Sequence, residues 1–188
     1  MPLRPDQLGA ALQQSLQGIY LISGDETLLV QEACDAVLQK AREQGFTERS
    51  IHHVETGFKW HDVTHDAASM SLFAERKVLD LRIPAGKFDK EGGQVLRDWA
   101  DGSVGNPDTL LLIRTERLQP RQRSSAWFKA LEGAGTVVLI WPLAPRELPP
   151  WLEKRLQAKG LTLEPQALQA LAERVEGNLL AAAQEVEK

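Results

Sequence analysis

The residues best placed to do chemistry follow a short apolar run, Ile19-Tyr20-Leu21-Ile22, that ends in Ser23-Gly24-Asp25. A nucleotide-binding loop at such a place needs the spacing G-x-x-x-x-G-K-[ST]. Its glycines let backbone N–H groups cradle phosphates, while Lys and Ser/Thr serve phosphate and magnesium. Counted from Gly24, the second glycine position is Leu29, the lysine position is Val30 and the hydroxyl position is Gln31. Each required group is missing. Asp25 and Glu26 also put negative charge where the following helix begins, which suits the helix dipole and repels a phosphate. ATP hydrolysis is not expected from this loop.

Other reactive side chains give weaker patterns. His61 and His65 stand four apart in His61-Asp62-Val63-Thr64-His65, a spacing that lets two imidazoles on one helix face share a zinc ion. Asp62 is shorter than the Glu of H-E-x-x-H, and no third ligand follows at motif spacing, so two solvated histidines are the plainer reading. A metal-dependent hydrolase built on His61 and His65 remains an alternative. His52-His53 alternates across a strand, so at least one of them points away from any shared site. Cys34, among Ala33, Ala36 and Val37, fits a buried structural cysteine better than a nucleophile. Arg114, Arg117, Arg121 and Arg123 fall close together in RTERLQPRQR. Such a cluster suits phosphate or an acidic partner, or else a solvated loop partly neutralised by Glu116. No aromatic of the kind that stacks on bases is interleaved with it.

Met70-Ser71-Leu72-Phe73 is a different kind of signal, for it offers grip and not reactivity. Large apolar residues sit here at a connection, where backbone usually runs over the surface. They either tuck under the domain edge or project as anchors into a partner's pocket. An aliphatic and an aromatic anchor side by side are the usual source of most of the energy in a small interface.

The elements that must position these residues alternate. A helix after Pro5 carries Leu8, Leu12 and Leu16 on one face, and the run Ile19–Ile22 reads as a strand buried on both faces. Leu29, Ala33, Val37 and Ala41 mark a second helix, stopped by Gly45. Strands are expected over 50–55, 77–83, 110–113 and 137–141, with helices over 63–70, 95–99 and 126–131 and a Gly-rich loop after Pro84. Strand and helix in this order imply a parallel sheet covered on both faces. Near Pro142 the pattern changes. Pro145 and Pro149-Pro150 punctuate a boundary, and three helical segments follow around Trp151–Leu156, Leu168–Val175 and Leu179–Val186. An α/β domain over 1–142 and a small helical domain over 143–188 are the expected organisation. The last helical pattern runs into Lys188 without a stop signal, as in a piece of a longer protein.

Composition sets the outer bounds. At 188 residues, one domain plus a small appendage fits the usual size of roughly 100–200 residues per domain. With 22 Lys+Arg against 26 Asp+Glu the net charge is -4, which argues against wholesale coating of nucleic acid but leaves a local basic patch open. One cysteine permits no internal disulfide and fits a reducing compartment. No charged-then-apolar leader opens the chain and no apolar run reaches the ~20 residues of a membrane span. A soluble, cytoplasmic protein with no membrane contact is expected.

Several stretches in this order and spacing carry a resemblance. IYLISGDETLLVQEACDAV, ASMSLFAERKVLDLRI, TLLLIRTERL, SSAWFKAL and the helical tail with its Glu176-Gly177-Asn178-Leu179 turn are similar to the N-terminal part of the delta subunit of the bacterial DNA polymerase III clamp loader. The resemblance implies an AAA+-like parallel sheet followed by a lid-type helical domain, with a degenerate nucleotide loop, no cofactor and no catalysis. It implies binding to the sliding clamp (the beta subunit) through a hydrophobic plug that opens the ring, mapped here to Leu72 and Phe73 with Met70 and Ser71 beside them. Other clamp-loader subunits would be partners, and DNA an indirect or weak one, with Arg114, Arg117, Arg121 and Arg123 as the candidate DNA or subunit contact. The clamp-binding pattern carries a Gln shortly before its Leu-Phe pair, where this chain has Ala68 and Ser69. The family's third helical domain, which assembles the loader's collar, is not among these residues. The alternative is an inactive P-loop-like regulatory scaffold, in which Leu72 and Phe73 would be core.

Overall fold

A computed structural model describes residues 1–69 and 76–188, which fall into two compact units, Met1–Trp141 and Pro142–Lys188. In the first unit the apolar runs become strands. β1 (Ile19–Ser23) is buried along its whole length because it is interior, parallel to β4 (Thr109–Thr115) on one side and to β5 (Thr136–Leu139) on the other. β3 (Arg76–Arg82) pairs with β4 and with β2 (Phe46–His53), giving a five-stranded parallel sheet in the order β2-β3-β4-β1-β5. Leu3 adds a single bridge to Val138 at the β5 edge.

Parallel strands need crossovers, and helices supply them. Around the sheet lie α1 (Pro5–Gln14), α2 (Thr27–Glu43), α3 (Trp60–Ala68), α4 (Lys90–Ala100), the single turn α5 (Pro120–Arg123) and α6 (Ala126–Ala134). Alternation along the strands divides the core. Leu21, Leu79, Leu81, Leu111 and Ile113 pack with Trp60 and Val63 of α3, Leu96 of α4, and Trp127 and Leu131 of α6. The opposite parity, including Tyr20, Ile22, Leu110 and Leu112, lies on the side of α1 and α2, whose Leu8, Leu12, Cys34 and Val37 are buried.

Two expectations are corrected. The second strand begins at Phe46 and not at Ser50. As an edge strand it exposes alternate side chains, so Thr47, Glu48 and Arg49 give no apolar run, and pairing with β3 makes them a strand. Of the glycines after Pro84, Gly86 lies in the connection, but Gly92 and Gly93 are within α4. A Cβ on Gly92 would stand 2.4 Å from the Trp60 ring, so the missing side chain lets α4 close on α3.

The second unit contains α7 (Leu148–Ala158), α8 (Pro165–Val175) and α9 (Leu179–Glu187), which pack on one another. Leu152, Leu156, Val175, Ala182 and Val186 are buried. Gly177, with φ 77°, takes the left-handed turn that ends α8. Asn178 then caps α9 by accepting a hydrogen bond from the Ala181 N–H at 2.9 Å. Among the described residues no helix is long and apolar enough to cross a membrane.

Candidate functional site

Met70, Ser71, Leu72 and Phe73 lie outside the described residues; the residues on either side of them are held closely. α3 ends at Ala68, and the Ser69 N–H donates back to the His65 carbonyl at 2.9 Å. Across the segment, Lys77 sits on the face of β3 shared with Leu79 and Leu81, and its side chain is only 5% exposed. A buried ammonium must satisfy its three donors. Lys77 Nζ donates to the Asp66 carbonyl, to Asp66 Oδ1 at 2.7 Å and to Ser69 Oγ at 3.0 Å. Its charge lies at the C-terminal end of α3, where the helix dipole favours a cation. The other Asp66 oxygen meets His52 Nε2 at 2.7 Å, tying in β2. Burial by itself would push the Asp66 carboxyl up. Hydrogen bonds from Lys77 and His52, with the Lys77 charge and a further bond from Ser50, outweigh it and hold the group below its usual range. Arg76 donates to Asp108 Oδ1 at 3.1 Å and to the Gln44 carbonyl at 3.2 Å, and its guanidinium lies over the Phe46 ring.

At the C-terminal end of the sheet a cavity of about 360 Å3 is lined by Gly24, Gln31, His53, Arg82 and Arg114, among others. This is where a nucleotide loop would act, and its first amide is already engaged. The Gly24 N–H donates to the Thr115 carbonyl at 3.1 Å. A Cβ on Gly24 would stand 2.7 Å from Ile140, so this glycine serves strand packing. Asp25 Oδ1 accepts from the Arg117 N–H at 2.9 Å, and burial raises the Glu26 carboxyl. Burial likewise pushes the Cys34 thiol up to about 11, against a partly compensating pull from Arg114. A thiol so placed stays protonated at neutral pH and is no nucleophile.

The four clustered arginines do not stay together. Arg114, on β4, turns to the α2 side of the sheet and donates to Asp80 Oδ2 at 2.9 Å. Asp80 is fully buried, and the same oxygen accepts from Arg49 of β2 and, at 3.5 Å, from Arg82. Among the described residues, Asp80 Oδ1 and the Nε atoms of Arg82 and Arg114 find no hydrogen-bond partner. Arg117 and Arg123 instead converge on Trp141, their guanidinium carbons 4.9 and 5.2 Å from its ring. Arg121 is exposed on α5 between them in sequence. His61 and His65 are exposed with ring centroids 6.1 Å apart, and no group of three metal-ligating side chains occurs among the described residues. His52 and His53 part as alternation requires, one to Asp66 and one to the cavity.

The profile of the family described as DNA polymerase III, delta subunit, matches residues 20–140. The chain belongs to that family. It is 34% identical over 186 residues to the DNA polymerase III subunit delta of Escherichia coli, covering 99% of this chain and 54% of that protein. The chain spans about half the length of the curated relatives it matches. Among solved structures, the Bacillus subtilis DNA clamp loader delta protein aligns over 97% of this chain and 56% of its own at 20% identity, with a TM-score of 0.74. A RuvB mutant of Thermotoga maritima aligns over 96% of this chain and 57% of its own at 17% identity, with a TM-score of 0.53. The fold is therefore AAA+-like, as the resemblance implied. The match to the delta-subunit family takes in the altered loop, both flanks of the Met70–Phe73 segment, and all four arginines.

The Lys77–Asp66 contact, the Asp80 hub and the Trp141 platform were not read from the sequence. A lysine within the apolar strand KVLDLR was a signal for the first, since a charge in an interior strand must find a partner. Asp80 in the same strand was such a signal for the second, though not for which arginines would meet it, and no local pattern pointed to the third.

Proposed function

We propose that this chain is the clamp-binding portion of a clamp-loader delta subunit, a non-catalytic protein that grips the sliding clamp through Leu72 and Phe73 and favours its open form. Met70 and Ser71 complete the contact. The observation that carries the reading is the delta-subunit match across residues 20–140, which runs through this Leu-Phe pair. The relatives, a DNA polymerase III subunit and a DNA clamp loader protein, support the partners: the ring-shaped clamp, the other loader subunits and DNA at one remove. A cytoplasmic protein is the matching location.

Opening a ring requires no bond chemistry of this chain. A wedge that binds the open clamp better than the closed one shifts that equilibrium by its differential affinity. A hundredfold shift asks for about 2.7 kcal/mol. Two apolar anchors, each worth about 1.5–3 kcal/mol on full burial, are of the right size.

The test is binding of the protein to a purified bacterial sliding clamp, wild type against Leu72→Ala/Phe73→Ala. The double variant is expected to keep its thermal melt and lose at least ~2 kcal/mol of binding. Undiminished binding by the folded double variant would remove the plug. No binding by wild type at high micromolar concentration would favour the regulatory scaffold instead.

A further inference from the structure

No aromatic is interleaved with Arg117, Arg121 and Arg123 in sequence, yet the fold supplies one from elsewhere. Trp141 follows β5 and is 41% exposed, an unusual state for so large an apolar ring. Two guanidinium groups rest on that ring. Both come from the β4–α6 connection, Arg117 just after β4 and Arg123 at the end of α5. Stacking restrains a guanidinium without using its N–H donors, so the forks remain free to bind an anion. Among the described residues none of Arg117, Arg121 and Arg123 forms a side-chain ion pair. Arg123 Nε is buried and finds no acceptor among the described residues, which costs free energy. Asp25 and Glu116 lie nearby, but each is partly engaged by backbone, Asp25 by the Arg117 N–H and Glu116 by the Ala85 N–H at 3.4 Å.

We propose that Arg117, Arg123 and Trp141 form a contact site for single-stranded nucleic acid, with phosphates on the guanidinium forks, a base against the exposed part of the indole, and Arg121 as a flanking cation. This goes beyond the clamp-binding reading and does not depend on Leu72 or Phe73. Single strands are favoured over an acidic peptide because both halves of the site are then used. A carboxylate would engage the arginines and leave the indole bare, whereas a nucleotide offers an anion and a π-face at adjacent positions. A duplex is less suited, since its bases are stacked on each other and present no free face to a side chain.

The experiment is fluorescence anisotropy of a labelled oligo(dT) titrated with the full-length protein at several salt concentrations, alongside a duplex of equal length and a poly-glutamate competitor. Trp141→Ala is expected to weaken oligo(dT) binding between roughly fivefold and 150-fold, the range for loss of one base stack, and Trp141→Tyr to retain most of it. Arg117→Gln/Arg123→Gln is expected to flatten the slope of log affinity against log salt by about 1.4, as two lost phosphate contacts on a single strand require. Melting curves matching wild type keep these losses from being unfolding, and the exposed ring makes Trp141→Tyr a folded control. Oligo(dT) binding unchanged in both variants would overturn the proposal. So would equal duplex binding that ignores Trp141, which would make the site a purely electrostatic contact. Tight capture of poly-glutamate without oligo(dT) binding would overturn it in favour of an acidic protein partner.

Discussion

Asp80 lies fully buried in β3 against Arg49, Arg82 and Arg114, one carboxylate oxygen serving all three guanidinium groups. Arg49 and Arg114 come from β2 and β4, 31 and 34 residues away in sequence, so the charge in KVLDLR signals that a partner is needed without saying which. Removing the anion leaves three cations facing one another. Asp80→Asn is therefore expected to cost about 3 kcal/mol, the lower end of the range for an orphaned buried charge because Arg49 and Arg82 are about a third exposed. Urea unfolding measures it through a fall in the midpoint. Asp80→Leu/Arg114→Met should recover part of the loss, since an apolar pair needs no counter-charge. An unchanged midpoint in Asp80→Asn would mean that water already solvates the arginines. Trp141 teaches the same lesson in reverse: a ring that reads as the end of a strand is an exposed platform whose two cations come from the preceding connection.

Elements, more than single residues, decide what the flanks of the Leu72-Phe73 segment can do. α3 and β3 are tied by Lys77, Asp66 and Ser69, and β2 joins through His52. The Asp66 carboxyl lies below its usual range in the folded protein, so folding favours its ionised form. That contribution is full above the unfolded value, near pH 4, and is lost as pH falls through the lower folded value. Melting temperature measured from pH 6 down to pH 2.5 is expected to drop more steeply for wild type than for Asp66→Asn in the acid part of that window. Lys77→Met keeps the side-chain length and removes the three donors. It should lower the melting temperature at pH 7 and weaken clamp binding, whereas Lys77→Arg should restore part of both. At this scale the interior strands were legible because continuous apolar runs have no other stable use in a covered sheet. The start of β2 was not, because an edge strand alternates and its pairing partner lies outside any local window.

For the molecule as a whole, a net charge of -4 makes any basic contact local, so the arginine–tryptophan site has to act at short range and lose strength with salt. The AAA+-like sheet provides a cavity at the usual edge, but Gly24 spends its N–H on Thr115 and packs against Ile140. Millimolar Mg·ATP is expected to leave the melting temperature unchanged in a thermal-shift assay. A ligand present at a hundred times its dissociation constant would add about 2.7 kcal/mol of stability and be plainly visible. The alternation of strand and helix, the failed loop chemistry and the Leu-Phe pair at a connection were determined by the sequence itself, since each is a pattern among neighbouring residues. The meeting of Lys77 with Asp66, of Asp80 with Arg49 and Arg114, and of Trp141 with Arg117 and Arg123 was decided only by the tertiary structure. Periodicity says which face of an element a side chain takes; the strand order β2-β3-β4-β1-β5 and its crossovers say what it will find there.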